Sequence, residues 1–156
     1  MSATFKPKRL TIHCTATPDG KRVSIDAIAK DHSLRGFGGI GYHYVIQPDG
    51  ELCEGRSLEQ RGAHVLGGNN ENIGIALAGT GQFTRLQFKA LRGILTALCL
   101  RFSIPDHEIW VHNEWPSAQA QKKTCPGMRA VNLVCWYADE QNLDTINPYI
   151  LKEEKK

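Results

Sequence analysis

No stretch of the 156 residues approaches the ~20 consecutive apolar residues that a membrane-crossing helix needs, so membrane insertion is not expected. The opening segment, MSATFKPKRLTIHC, holds no apolar run of secretory-signal length. That sets the expectation of a cytoplasmic protein that meets an outside target only after release by another agent. Linkers rich in Pro, Gly or Ser and repeats of fixed period are also missing. A single domain over 1–156 is therefore expected, with its core over about 8–141 and a tail that frays over about 148–156.

Strong charge of either sign is absent too. Nineteen Lys and Arg against sixteen Asp and Glu leave a formal charge of +3. The basic residues are scattered rather than interleaved with aromatics, and the short run Lys6-Pro7-Lys8-Arg9 reads as a solvated entry to the first strand, so nucleic acid is not an expected partner. Five cysteines is an odd number, which excludes complete disulfide pairing within one chain. Cys53, Cys99 and Cys135 read as reduced, buried small hydrophobes. What remains is ordinary: 41% apolar and 22% charged residues, at a length that buries about 70% of the extended chain's surface and needs no staples.

The patterning predicts an α/β fold, a mixed central β-sheet flanked by helices, in the order β-α-β-β-β-α-β-α. Residues 8–14 read as a strand whose alternation puts Leu10 and Ile12 on one face and Thr11 and His13 on the other, with Cys14 pointing away from His13. Ser24 is a candidate N-cap for a helix over 24–34. Pro48-Asp49-Gly50 joins strands 42–47 and 51–54 as a hairpin. The apolar run 73–79 is a buried strand. Thr84-Arg85-Leu86-Gln87 is a capping-box pattern that opens a helix over 85–102, with an expected buried stripe of Leu86, Ala90, Ile94, Ala97 and Leu98. A strand over 108–112 delivers His112 at its end. A last helix over 129–141 is expected to bury Val131, Val134, Cys135 and Ala138.

Chemistry concentrates in His13 of RLTIHCTAT, His112 of EIWVHNEWP and Cys125 of KKTCPGM. Taken singly, a strand histidine is more often a satisfied core residue than a ligand, and most free cysteines are inert. Together, two histidines at or near strand ends and a cysteine in a Pro-Gly loop have the make-up of a three-ligand zinc site with its fourth position left to water. A cysteine hydrolase built on Cys125 and one of these histidines is a rival, and a purely structural zinc a weaker one, since no fourth Cys or His is supported by context.

The chain resembles the zinc amidases that include the amidase-type phage lysozymes and the peptidoglycan recognition proteins. The resemblance spans about residues 8–138 and rests on IHCTAT (12–17), GYHYVI (41–46), DGELCEGR (49–56), RGAHVLGGNNENIGIALAG (61–79), VHNEWP (111–116) and KKTCPG (122–127), in order. It implies the mixed-sheet fold of that family, one Zn2+ per chain held by His13, His112 and Cys125, and N-acetylmuramoyl-L-alanine amidase activity on peptidoglycan or muropeptides. It implies catalytic roles for Tyr42 and Lys123, with Lys122 as the rival to Lys123, and a substrate-groove position for His64. Lys123 leans the resemblance toward the phage-type branch, a monomeric phage or prophage endolysin. A cytoplasmic wall-recycling amidase and a peptidoglycan-binding module without catalysis are the alternatives. His43 is expected on the face opposite Tyr42, as core or as support for a ligand; Glu114 and Arg129 could engage polar groups of a glycan or peptide. His32 and His107 carry no motif support.

Overall fold

A computed structural model describes residues 4–139, 141 and 143–152. Its sheet has five strands, β1 (Arg9–Cys14), β2 (Tyr44–Ile46), β3 (Leu52–Glu54), β4 (Asn72–Leu77) and β5 (Ile109–Val111), in the spatial order β3-β2-β4-β1-β5. Only the β2–β3 hairpin pairs antiparallel; β2–β4, β4–β1 and β1–β5 are parallel, which makes the sheet mixed as expected. The helices are α1 (Ile25–Leu34), α2 (Arg85–Phe102), α3 (Pro116–Ala120) and α4 (Ala130–Ala138). In the hairpin turn Gly50 takes φ +87°, a left-handed conformation that a side chain would strain, and its N–H donates to Gln47 O at 2.8 Å.

The sheet has an apolar face and a polar one, and strand alternation decides which residue lies on each. Leu10 and Ile12 of β1, Ile73, Ile75 and Leu77 of β4, and Tyr44 and Ile46 of β2 meet Phe88, Leu91 and Leu95 of α2 and Leu133 and Trp136 of α4 in one core. The opposite face carries Thr11 and His13, with Asn72, Gly74 and Ala76 beside them in register. Its buried polar groups are tied together: Trp115 Nε1–H donates to Thr11 Oγ1 at 3.1 Å, Thr11 Oγ1–H to Asn72 Oδ1 at 2.9 Å, and Asn72 Nδ2–H to Gly68 O at 2.7 Å. Polar groups satisfied in this way cost little to bury and fix the relative position of the segments they join.

Helix α2 has the predicted bounds, and its capping box forms. Thr84 Oγ1 accepts the Gln87 N–H at 3.0 Å, and Gln87 Oε1 accepts the Thr84 N–H at 2.9 Å. The buried stripe shares Leu98 with the expected one, Ala90 and Ile94 are only partly buried, and the rest differs. It runs through Gln87, Phe88, Leu91, Leu95 and Leu98, and Leu86 is 52% exposed. Phe88, Leu91 and Leu95 bury more apolar area than Ala90 and Ala97 could. Gln87 is drawn inward by donating its amide to Ile46 O and Ala78 O.

The same logic corrects the last helix. Leu133 and Trp136 are its buried residues, Trp136 edge-on to Phe88 at 5.4 Å; Val134 is half-buried, and Val131, Cys135 and Ala138 are exposed. Cys53 and Cys99 are half-buried, so the fully buried cysteine is Cys14, packed with the apolar face; all five thiols are free. Nor does the chain fray from 148. Ile150 is 1% exposed and bridges Phe83, with Leu151 N–H donating to Phe83 O at 2.7 Å; residues 153–156 lie outside the described ones. Among the described residues, no helix is long and apolar enough to cross a membrane.

Candidate metal centre and active site

Strand register brings the two histidines together. Ile12 pairs with Val111 in the parallel β1–β5 ladder, so the next residue on each strand, His13 and His112, emerges at the same sheet end. Their ring centroids lie 4.4 Å apart. His112 opens a 3-10 turn (His112–Glu114) rather than ending the strand. The next residue, Asn113, brings in the third group. Its N–H donates to Cys125 O at 2.8 Å, and its side-chain amide donates to Thr124 O and Met128 O, both at 3.1 Å. The Cys125 loop is thereby folded back over the strand ends, where Cys125 Sγ accepts the Cys14 N–H at 2.9 Å. One donor atom from each of His13, His112 and Cys125 falls within 4.8 Å of the other two.

The set fits a zinc ion on its own chemistry. Two imidazoles and a thiol are its ordinary donors. His13 and His112 are 1% and 8% exposed, yet buried His112 Nδ1 has no hydrogen-bond partner. A buried polar atom left without a partner costs about 1–3 kcal/mol unless something absent from the chain satisfies it. Burial holds both imidazoles neutral, as ligation requires: it lowers His13 well below the usual histidine range and pushes His112 down to about 4, with His64 adding to the effect at His13 and Lys123 at both. The hydrogen-bonded Cys14 thiol and burial raise the Cys125 thiol, while the Cys14 N–H and the Lys123 charge oppose them.

Around this centre opens a cleft of about 940 Å³, lined among others by Tyr42, His64, Lys123, Arg35 and Thr80. Tyr42 lies between two imidazoles, 5.1 Å from the ring of His13 and 5.1 Å from that of His32. Burial raises its phenol above the usual tyrosine range, so it stays protonated at neutral pH. His43 does not face away from it. The strand begins only at Tyr44 and the chain bends at His43, so alternation does not reach back to this pair. His43 joins the polar face instead, accepting the Gly74 N–H on Nδ1 at 3.0 Å and bonding Gln60 O through Nε2 at 2.8 Å. With both nitrogens occupied it is no ligand.

Lys123 is placed by the end of α3. Lys122 adopts φ +55° and donates its N–H to Gln119 O at 3.0 Å, and Lys123 N–H reaches Ala118 O at 2.9 Å, a Schellman cap. Both side chains are exposed, but the charge of Lys123 acts on His13, His112 and Cys125. Of the two lysines, Lys123 is the one among the leading charges that act on these three groups. His64 is 9% exposed, and both its ring nitrogens are bonded to protein atoms, Nδ1 to His13 Nε2 at 2.9 Å and Nε2 to Asn72 O at 3.1 Å. Burial pushes its pKa down to about 3. Glu114 meets the start of α4, accepting the Ala130 N–H at 3.3 Å with Arg129 Nε 3.6 Å away, and His107 is exposed on a surface turn.

Sequence reasoning passed over Asn113, Asn69 and Asn72. Each is an asparagine whose amide ties down loop or strand backbone, and the signal that could have found them is position: one follows the candidate ligand His112 and two close the RGAHVLGGNNEN segment.

Comparison with known proteins identifies the family. A family model described as N-acetylmuramoyl-L-alanine amidase matches residues 3–128. The endolysin of Enterobacteria phage K11 is 32% identical over 123 residues, covering 74% of this chain and 77% of that protein. A peptidoglycan-recognition protein of Drosophila melanogaster is 31% identical over 136 residues, 81% of this chain and 72% of that one. Among solved structures, the N-acetylmuramoyl-L-alanine amidase LysC from Clostridium intestinale URNW superposes with a TM-score of 0.70 at 27% identity, over 80% of this chain and 79% of that one. With most of its length matched and its motifs gathered at one cleft, the chain belongs to the N-acetylmuramoyl-L-alanine amidase family.

Proposed function

We infer that this chain is a zinc-dependent N-acetylmuramoyl-L-alanine amidase of the endolysin kind. It cuts the amide between the lactyl group of N-acetylmuramic acid and the L-alanine of the stem peptide. The observation that carries the reading is the gathering of His13, His112 and Cys125 at the floor of a cleft, with His112 Nδ1 buried and unpartnered. Zinc bound by these three would supply a Lewis acid for the scissile carbonyl and bring the pKa of a water close to 7. The candidate donor set has three members among the described residues, which suits a catalytic rather than a closed structural centre.

The chain's own residues supply the rest. Negative charge grows on the carbonyl oxygen as the amide is attacked, and Lys123 puts a cation at the rim to meet it. The Tyr42 phenol, protonated beside His13, offers an O–H to the same oxygen or an acceptor that orients the attacking water. The functional unit of this reading is a monomer acting on the wall after release. A binding module that does not cut is the weaker reading, because the three donors, Tyr42 and Lys123 are all in place.

Mass spectrometry of purified muropeptides incubated with the protein tests the assignment. Expected products are an intact disaccharide and a peptide with a free N-terminal alanine; cleavage between the sugars or within the peptide sinks it. Intact sacculi run alongside soluble fragments separate an endolysin from a recycling enzyme. In the same assay Lys123→Ala should lower turnover about 10²-fold, the low end for losing a charge stabiliser because this lysine is solvated. Its zinc content should not change, and Lys122→Ala should stay near wild type.

A further inference from the structure

We propose that His64 is a positioning residue for the metal centre, fixing which nitrogen of His13 is free to bind, rather than a contact for the substrate. The inference rests on the metal-centre reading above, and hydrogen-bond logic carries it. The Asn72 carbonyl can only accept, so the His64 Nε2 that lies 3.1 Å from it bears the proton. A neutral imidazole has one N–H, so His64 Nδ1 is a lone pair. The His13 Nε2 at 2.9 Å must then be the donor. His13 is left with a protonated Nε2 and a bare Nδ1, the state a metal needs, set by a chain that begins in the backbone of β4.

The ring is built into this position. Asn69 Oδ1 accepts the N–H groups of both His64 and Val65 at 2.8 Å, clamping the loop on either side of the side-chain root. Two glycines make the slot: a Cβ on Gly74 would come within 2.6 Å of His64 Cγ, and one on Gly62 within 2.6 Å of His64 Cδ2. Asn72, the far end of the relay, is itself fixed by Thr11 and Gly68. An imidazole so enclosed, with both nitrogens engaged, has no polar atom to offer a substrate in the cleft. Groups that orient a ligating histidine through its other nitrogen typically govern metal affinity by 10–100-fold.

Two measurements test the proposal. Long-range 1H–15N correlation spectra of the metal-free chain should show both His13 and His64 protonated on Nε2. Zinc titration against a competing chelator should give His64→Phe a dissociation constant raised about 10–100-fold. His64→Asn, whose amide oxygen can stand near the lost Nδ1, should recover most of that loss. Cobalt in place of zinc should give His64→Phe an altered visible spectrum. A His13 protonated on Nδ1 overturns the proposal even if the Phe variant fails to fold. So does a folded His64→Phe with wild-type zinc affinity and only a raised KM, which would return His64 to the substrate groove while leaving the metal centre standing. A wild-type chain that takes up no zinc overturns both.

Discussion

Cys125→Ser is expected to abolish peptide release and to lower zinc affinity by about 10²–10³-fold. The binding free energy of zinc sites built from four protein donors is about 10–16 kcal/mol, so one donor answers for roughly 3–4 kcal/mol. A serine hydroxyl, neutral near pH 7, is a poor substitute for a thiolate. The loop itself should stay in place, because Asn113 grips it through the carbonyls of Thr124, Cys125 and Met128, none of which the substitution touches. Loss of the sulfur would also silence a cysteine nucleophile, so the variant needs a partner experiment. Wild-type protein stripped by a chelator should be equally inactive and should regain activity when zinc is added back. Stripped protein that still hydrolyses muropeptides, and is stopped by a thiol alkylator, would establish the nucleophile instead. Wall binding unchanged in both Cys125→Ser and stripped protein, with no cleavage in the wild type, would leave a binding module.

His13 and Cys125 show how far residue order carries toward a site and where it stops. Alternation along RLTIHC is a local property, and it correctly separates His13 from Cys14, because each residue of a strand faces opposite to the last. The meeting of His13 with His112 is not local. It depends on β5 pairing parallel to β1 with Ile12 opposite Val111, a register that motif order suggests only through the family resemblance. Tyr42 and His43 mark a nearer limit, since the period-2 argument fails when the strand starts two residues later than read. In α2 several stripes were compatible with a 3.6-residue repeat. The choice among them was made by the size of Phe88 and by a glutamine that found two carbonyls, facts of packing and not of periodicity. His64 is the fullest example. The resemblance places it at the groove, but its partners are a carbonyl on β4 and a ring on β1, and neither follows from the segment in which it lies.

The metal-free protein should lose at least about 3–4 kcal/mol of stability between pH 7 and pH 5.5. His13, His64 and His112 are buried as neutral imidazoles, their pKa values lowered chiefly by desolvation, to about 3 for His64 and about 4 for His112. In the unfolded chain each returns to about 6.5. Below that value the unfolded state takes up protons that the folded state refuses. The stabilising contribution is therefore fully present above about pH 6.5 and drains away as the pH falls toward the folded values. Each group that is protonated only when unfolded contributes a slope of about 1.4 kcal/mol per pH unit, so these three approach 4, and His32 and His43, lowered by burial too, add to it. Urea unfolding in the presence of chelator, at half-unit steps from pH 7.5 to 5, measures this directly. In His64→Phe the slope should fall by one proton's share, about 1.4 kcal/mol per pH unit, even if the variant starts less stable, because slope counts protons and not contacts. A midpoint that stays level down to pH 5 would mean that these imidazoles are not held neutral, and that the donor set is not ready for a metal at the pH where the enzyme works.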